Sequence, residues 1–176
     1  MLAMLLDGPK HGYALKKRAG LVWGAATMHN NIVYPLLRRF VARGWVTQRA
    51  AKGERGQTRQ MYALTAAGRG ALIERLSEYG EKERRSSEAL HARVALFEAL
   101  DAAARKRILE GRRDYLEGRT GRLRQMQAAM DLGRYGGEVV RFLGEQIRAE
   151  LRWIERLERM SARVEGGAKR ARRKAR

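Results

Sequence analysis

Between residues 29 and 39 the chain sets His29, Asn30, Asn31, Tyr34, Arg38 and Arg39 at spacings that a helix gathers opposite Val33, Leu37, Phe40 and Val41. These side chains suit hydrogen bonding rather than bond making. Asparagine can pair bidentately with adenine, and arginine with guanine or a phosphate, so such a face could read base edges in a major groove. Asn30 could equally serve only as a helix cap, and the Tyr34 ring could simply pack. A second group, Lys52, Arg55 and Arg59, surrounds the glycines of Lys52-Gly53-Glu54-Arg55-Gly56. A glycine-flanked basic tip gains little from packing and much from phosphate contact. His11 and Tyr13 stand where another helix begins, and its open N–H groups favour an anion there, although a structural role is the plainer reading of His11. Nothing groups a nucleophile, a base and an orienting residue, so the expectation is no enzyme and no cofactor.

The charge distribution points the same way. Of the net +19, residues 1–68 carry +9, with 11 Lys/Arg against Asp7 and Glu54. Residues 69–165 carry +4, and residues 166–176 carry six cations and no acid. A GC-rich genome could inflate the arginine count, which is 30 against 8 lysines, yet it would not leave residues 8–53 without one acid. A polyanion-binding module beside a nearly balanced packing module has this asymmetry, because phosphate neutralisation supplies most non-specific nucleic-acid affinity. With no cysteine and only three scattered histidines, disulfides, thiolate chemistry and a metal centre are not expected. The opening Met1–Leu6 is too short for a signal h-region or a membrane span, so the expected location is the cytoplasm, on the nucleoid, with no membrane partner.

The elements that would position these residues follow from periodicity. A short apolar helix at Met1–Leu6 is stopped by Asp7-Gly8-Pro9, and it opens abruptly at Met1. A second helix spans about Gly12–Leu21. A third follows Thr27, and Pro35 fits a start near Asn31–Val33, with Gly44 as a left-handed cap. Trp45–Ala50 and Arg59–Leu64 alternate as two strands of a basic-tipped hairpin. Three helices and such a hairpin describe a winged helix-turn-helix, whose third helix enters the major groove while the wing reaches flanking phosphates.

Three blocks carry a resemblance. Leu5-Leu6-Asp7-Gly8-Pro9-Lys10-His11-Gly12-Tyr13, Val33-Tyr34-Pro35-Leu36-Leu37 and Tyr62-Ala63-Leu64-Thr65-Ala66-Ala67-Gly68, in that order and spacing, resemble the PadR family of bacterial transcriptional regulators. The likeness is close over about residues 1–80 and looser beyond. It implies a winged helix followed by a helical domain that dimerises, and some of the regulators it resembles hold phenolic or drug-like compounds between subunits. Two departures bear on recognition. Asn31 and Ile32 stand where the family has a small residue and threonine, and Gln57-Thr58-Arg59-Gln60 keeps one cation of the three usual on the returning wing strand.

In the second half, Thr65 is a candidate N-cap for a helix from Ala66 to about Lys82, and Arg84-Arg85-Ser86-Ser87 reads as a hinge. From Ala102 to Met130 a heptad stripe of Leu109, Leu116, Leu123 and Met130 is broken by Arg112 and Arg119. Tyr135-Gly136-Gly137 is expected to end that helix. A last one, about Glu138–Val164, puts Val140, Leu143, Ile147, Leu151, Ile154 and Leu157 on one face. Stripes of this length call for packing on each other and on a second copy. Trp153 beside that interface could stack a small aromatic effector, or it could be an ordinary core residue.

The expectation is a mostly α chain with a minor β part. It comprises a winged helix-turn-helix DNA-binding domain (1–83), a helical dimerisation domain (84–165) and a disordered basic tail (166–176) that adds non-specific DNA contact. The function expected is that of a homodimeric repressor binding a palindromic operator in double-stranded DNA; the alternative is a basic architectural DNA- or RNA-binding protein without sequence preference.

Overall fold

The structure, a computed structural model, describes residues 1–23, 30–52 and 58–174, with the backbone alone at 20–23, 30 and 164–174. Two compact units follow, Met1–Leu76 and Ser77–Arg176.

In the first unit the opening apolar segment is a single 3-10 turn, Leu2–Leu5. The chain then forms β1 (Lys10–His11), α1 (Gly12–Trp23), α2 (Asn30–Ala42), β2 (Val46–Lys52), β3 (Thr58–Leu64) and α3 (Ala66–Ser77). The sheet is antiparallel in the order β1-β3-β2. β1 is an addition to the expected hairpin: Lys10 and His11 pair with Tyr62 and Met61, a stretch too short to show any periodicity. Leu5, Leu15, Val33, Leu37, Val46, Tyr62 and Leu72 close the core. Full burial of an aliphatic side chain there contributes about 1.5–3 kcal/mol. Gly44 ends α2 at φ +67°, where a side chain would be strained. Thr65 caps α3 as expected, its Oγ1 accepting from Gly68 N at 2.9 Å and donating to the Gly44 carbonyl at 2.7 Å.

The second unit holds α4 (Glu81–Arg84), α5 (Ser87–Val94), α6 (Ala102–Ala129) and α7 (Gly133–Lys174). The expected helix to Lys82 is thus interrupted, with Gly80 preceding α4. The Ser86 hydroxyl caps α5 by accepting from Ala89 N at 3.1 Å, so the chain breaks between α4 and α5 within residues 84–87. α6 and α7 form an antiparallel hairpin, with Ile108, Leu109 and Leu116 buried on one helix and Val140, Ile147, Ile154 and Leu157 on the other. The Arg112 interruption of the heptad stripe is itself buried, 1% exposed. Its guanidinium donates to both Glu150 carboxylate oxygens at 2.8 Å, to the Ser87 hydroxyl at 2.6 Å and to the Arg84 carbonyl at 2.6 Å.

Two expectations give way here. The break falls before Tyr135, where Asp131 accepts from Gly133 N at 3.0 Å and Gly133 takes φ +58°, and Gly136-Gly137 lies inside α7. Each glycine costs a helix about 1 kcal/mol, which a long packed helix absorbs. The backbone is also helical past Val164 to Lys174, where a disordered tail was expected. Propagation adds a hydrogen bond per residue at low cost, and Ala, Lys and Arg are good helix formers. No described helix is long and apolar enough to cross a membrane.

Candidate nucleic-acid interface

Amphipathicity fixes how α2 is set. Val33 and Leu37 are buried at no more than 1% exposure, so the opposite face is turned outward, with Asn31, Arg38 and Arg39 exposed. Ile32 joins them, half exposed, as an apolar group beside the asparagine that could meet a thymine methyl. Pro35 has no N–H, so the Asn31 carbonyl lacks its usual donor four residues on. His29 lies outside the described residues, as does the side chain of Asn30.

Tyr34 is half-buried, and its place depends on Gly12. A Cβ on Gly12 would stand 2.7 Å from Tyr34 Cε1 and 3.3 Å from its hydroxyl, so only glycine lets the ring cover the start of α1. His11 fixes the same corner. Its Nδ1 accepts from Ala14 N at 3.1 Å, capping α1, and its ring stacks near that of Tyr13 at 6.3 Å between centroids. Tyr13 itself is exposed. Asp7 ties the preceding turn to α1 through Lys10 at 3.0 Å and Arg18 at 2.8 Å. Arg18 first, then Lys10, hold its carboxyl down to about 2.

The wing projects from this base with both faces in solvent. On β2 only Val46 is buried, and Thr58, Arg59 and Gln60 on β3 are exposed. The register pairs Arg59 with Ala51 and Arg49 with Met61, so Arg49 and Arg59 share one face as diagonal neighbours while Lys52 occupies the other. Gln48 donates to Gln60 across the strands at 3.2 Å. Arg55 lies outside the described residues.

Between wing and helices runs an open groove of about 660 Å³. It brings together Tyr13, Tyr34 and Arg59 of the expected set with His11, and adds Gln60 and Tyr62. Burial raises the Tyr62 hydroxyl above its ordinary pKa, with Tyr34 adding to the shift and Arg38 opposing it. Among the described residues the groove is therefore a rim of hydroxyl and guanidinium donors with no carboxylate lining it, which suits anionic oxygen. Asn31, Arg38, Arg39 and Lys52 are exposed outside its lining. Arg49 escaped sequence reasoning because strand alternation assigns only one face outward, and on a wing both faces are outward.

Trp153 stands apart in the second unit, half-buried, edge-on to His91 at 5.3 Å between ring centroids. With Arg119, Gln146 and Glu150 it lines a cavity of about 550 Å³.

Residues 1–74 match the model of the transcriptional regulator PadR-like family. Among solved structures, Bacillus subtilis PadR in complex with operator DNA is similar at 17% identity and TM-score 0.42, covering 91% of this chain and 94% of that one. The same protein in complex with p-coumaric acid gives 18% and 0.39, covering 92% and 95%. A PadR family transcriptional regulator from Eggerthella lenta gives 32% and 0.36, covering 42% of this chain and 62% of that one. No curated protein matches the sequence. The weight falls on residues 1–74, and the matched family is one of transcriptional regulators rather than enzymes.

Proposed function

From an N-terminal unit whose residues 1–74 match the model of the PadR-like family of transcriptional regulators, we propose that this chain is a sequence-specific DNA-binding repressor, acting in the cytoplasm as a homodimer on a palindromic operator. The observation that carries the reading is the convergence of Tyr13, Tyr34 and Arg59 on one groove with no carboxylate among its described lining residues, beside an α2 face that presents Asn31 and Arg38. Asn31 and Arg38 read bases, Ile32 meets a thymine methyl, and Arg49, Lys52 and Arg59 grip phosphates flanking the site. Arg39, exposed on α2, joins them, and His29, Asn30 and Arg55 are the further candidates in the sequence.

The homodimer is supported by a second apolar stripe on α7. The stripe facing α6 is buried, yet Tyr135, Val139, Phe142 and Met160 remain exposed at 54–84%, in heptad register with half-buried Trp153. Exposed stripes of this kind mark contact surfaces. A pair of recognition helices about one duplex turn apart would then read a two-fold site. The cavity beside Trp153 is roomy enough for a small aromatic effector, which would act by favouring a dimer in which that spacing is wrong.

The test is a titration against the intergenic DNA upstream of the chain's own gene, with scrambled DNA as competitor at physiological salt. A specific regulator protects a two-fold symmetric site and loses about 1–3 kcal/mol per mismatched base pair. Equal affinity for both DNAs would instead support a basic architectural protein.

A further inference from the structure

α7 presents three faces. One carries Val140, Ile147, Ile154 and Leu157 and is buried against α6. A second, about 100° away at 3.6 residues per turn, carries Tyr135, Val139, Phe142 and Met160. The third lies opposite the buried face and is made of arginine: Arg148, Arg152, Arg156, Arg159 and Arg163, all exposed. At about 100° per residue these five fall within an arc of roughly 80°, and at about 1.5 Å per residue they span about 22 Å. Because the backbone stays helical to Lys174, positions Arg170 and Lys174 fall in the same arc and lengthen the row to about 39 Å.

The two halves of this helix treat their cations differently. Upstream, Arg141 is neutralised by Glu138 at 2.5 Å and Glu145 at 2.9 Å. Downstream, the glutamates that could do the same are turned to α6, where Glu150 holds Arg112 at 2.8 Å and Glu158 holds Arg113 at 2.6 Å. Between residues 148 and 163 the row is left with Glu155, at its edge, as the one acid in or beside the arc. Like charges four residues apart, as in Arg148, Arg152 and Arg156, repel one another and weaken a helix. A solvated face gains nothing from that repulsion, whereas a surface facing a polyanion is relieved of it on binding. The occupant that fits is the phosphodiester backbone of a duplex, which carries one charge per strand about every 3.4 Å of its axis and meets guanidinium forks ranged along the helix.

We infer that the arginine face of α7, from Arg148 through Arg163 and on along the helix, is a second DNA-backbone surface, separate from the winged unit, that adds sequence-independent affinity for duplex. Its choice of duplex DNA over other polyanions rests on the DNA-binding reading of the first unit.

The test compares the full chain with R152Q/R156Q/R159Q/R163Q, glutamine being chosen to keep helix propensity. A second variant, K106Q/R107Q/R122Q/R124Q on α6, removes the same charge elsewhere in the unit. Binding to operator and to scrambled duplex is followed over a range of salt. The α7 variant is expected to lower the slope of log K against log salt by about 0.9 for each phosphate no longer neutralised, roughly 2–4 in all. The α6 variant should change it by less than the equivalent of one phosphate, and replacing the same four α7 arginines by lysine should restore it. An unchanged slope in the α7 variant, or an equal change in the α6 variant, overturns the inference. So does loss of binding to vesicles of phosphatidylglycerol with duplex binding intact. If the chain separates operator from scrambled DNA while the α7 slope is unchanged, only this inference fails. If the slope depends on α7 but operator and scrambled DNA bind alike, only the operator reading fails.

Discussion

Arg112 and Arg59 are the same side chain in opposite employment. Arg112, at the middle of α6, is enclosed at 1% exposure and donates to Glu150, Ser87 and the Arg84 carbonyl. Arg59, on the wing, is exposed and lines a groove whose described lining residues include no carboxylate. Between α6 and α7 of the second unit, Glu150 and Glu158 lie across from Arg112 and Arg113 and engage them, whereas the exposed arginine row of α7 is turned away from those acids. In residues 1–68 two acids face 11 cations, and the described one of the two, Asp7, is engaged at the turn before α1. What separates a structural arginine from a binding one is therefore the presence of a partner carboxylate, not exposure or count alone.

The sharpest way to break the comparison is to strand Arg112. Glu150→Ala leaves a buried guanidinium with neutral acceptors only, and removal of one partner from a buried pair typically costs about 3–5 kcal/mol. Urea denaturation should show a loss of that size. The double variant Arg112→Met/Glu150→Leu should recover most of it, because well-packed apolar groups often replace a buried pair without penalty. A Glu150→Ala loss below about 1 kcal/mol would mean that water reaches the pair as it reaches surface bridges.

The converse holds on α2. Asn31→Ala/Arg38→Ala removes exposed side chains, so the unfolding midpoint should stay put while operator affinity falls by about 1–3 kcal/mol for each bidentate base pairing removed. Competition with scrambled duplex checks this, and unchanged operator affinity in the double variant would take α2 out of the readout. On the wing, Arg59→Ala should weaken operator and scrambled duplex alike and lower the salt slope by about 0.9, the signature of a phosphate contact. A loss confined to operator would make Arg59 a base reader.

How much of this was legible in the sequence depends on the range of the interaction. Helix faces and caps are local: Val33, Leu37 and Phe40 announce α2, Gly44 its end and Thr65 the start of α3, because each acts within one turn of itself. The interruption at Arg112 was visible and its meaning was not, since Glu150 lies 38 residues away and no spacing rule connects them. β1 went unseen because two residues carry no period, and it exists only because β3 offers an unpaired edge to Lys10 and His11. The groove was half legible. Tyr34 and Arg59 were marked by residue type, whereas the dependence of the Tyr34 ring on Gly12 is a tertiary contact that the motif contains without explaining.

The smallest expected effect concerns Asp7, an acid of the first unit that is engaged by cations as Glu150 and Glu158 of the second are. Its folded pKa of about 2 lies below the ordinary value of 3.8, so its bonds to Arg18 and Lys10 stabilise the unit fully above about pH 4 and are lost as the pH falls through about 2. The pair is exposed, and solvent screening keeps the contribution small. Asp7→Asn should therefore leave stability near neutrality almost unchanged and flatten its fall between pH 4 and pH 2, as followed by far-UV circular dichroism in urea. It should also release Arg18 and Lys10 from their carboxylate beside the start of α1 and so strengthen binding to scrambled duplex slightly at low salt. If the variant binds scrambled duplex no better than the wild type, then a freed cation in this unit does not act on DNA wherever it stands, and the phosphate contacts of the first unit are confined to the groove, the wing and α2.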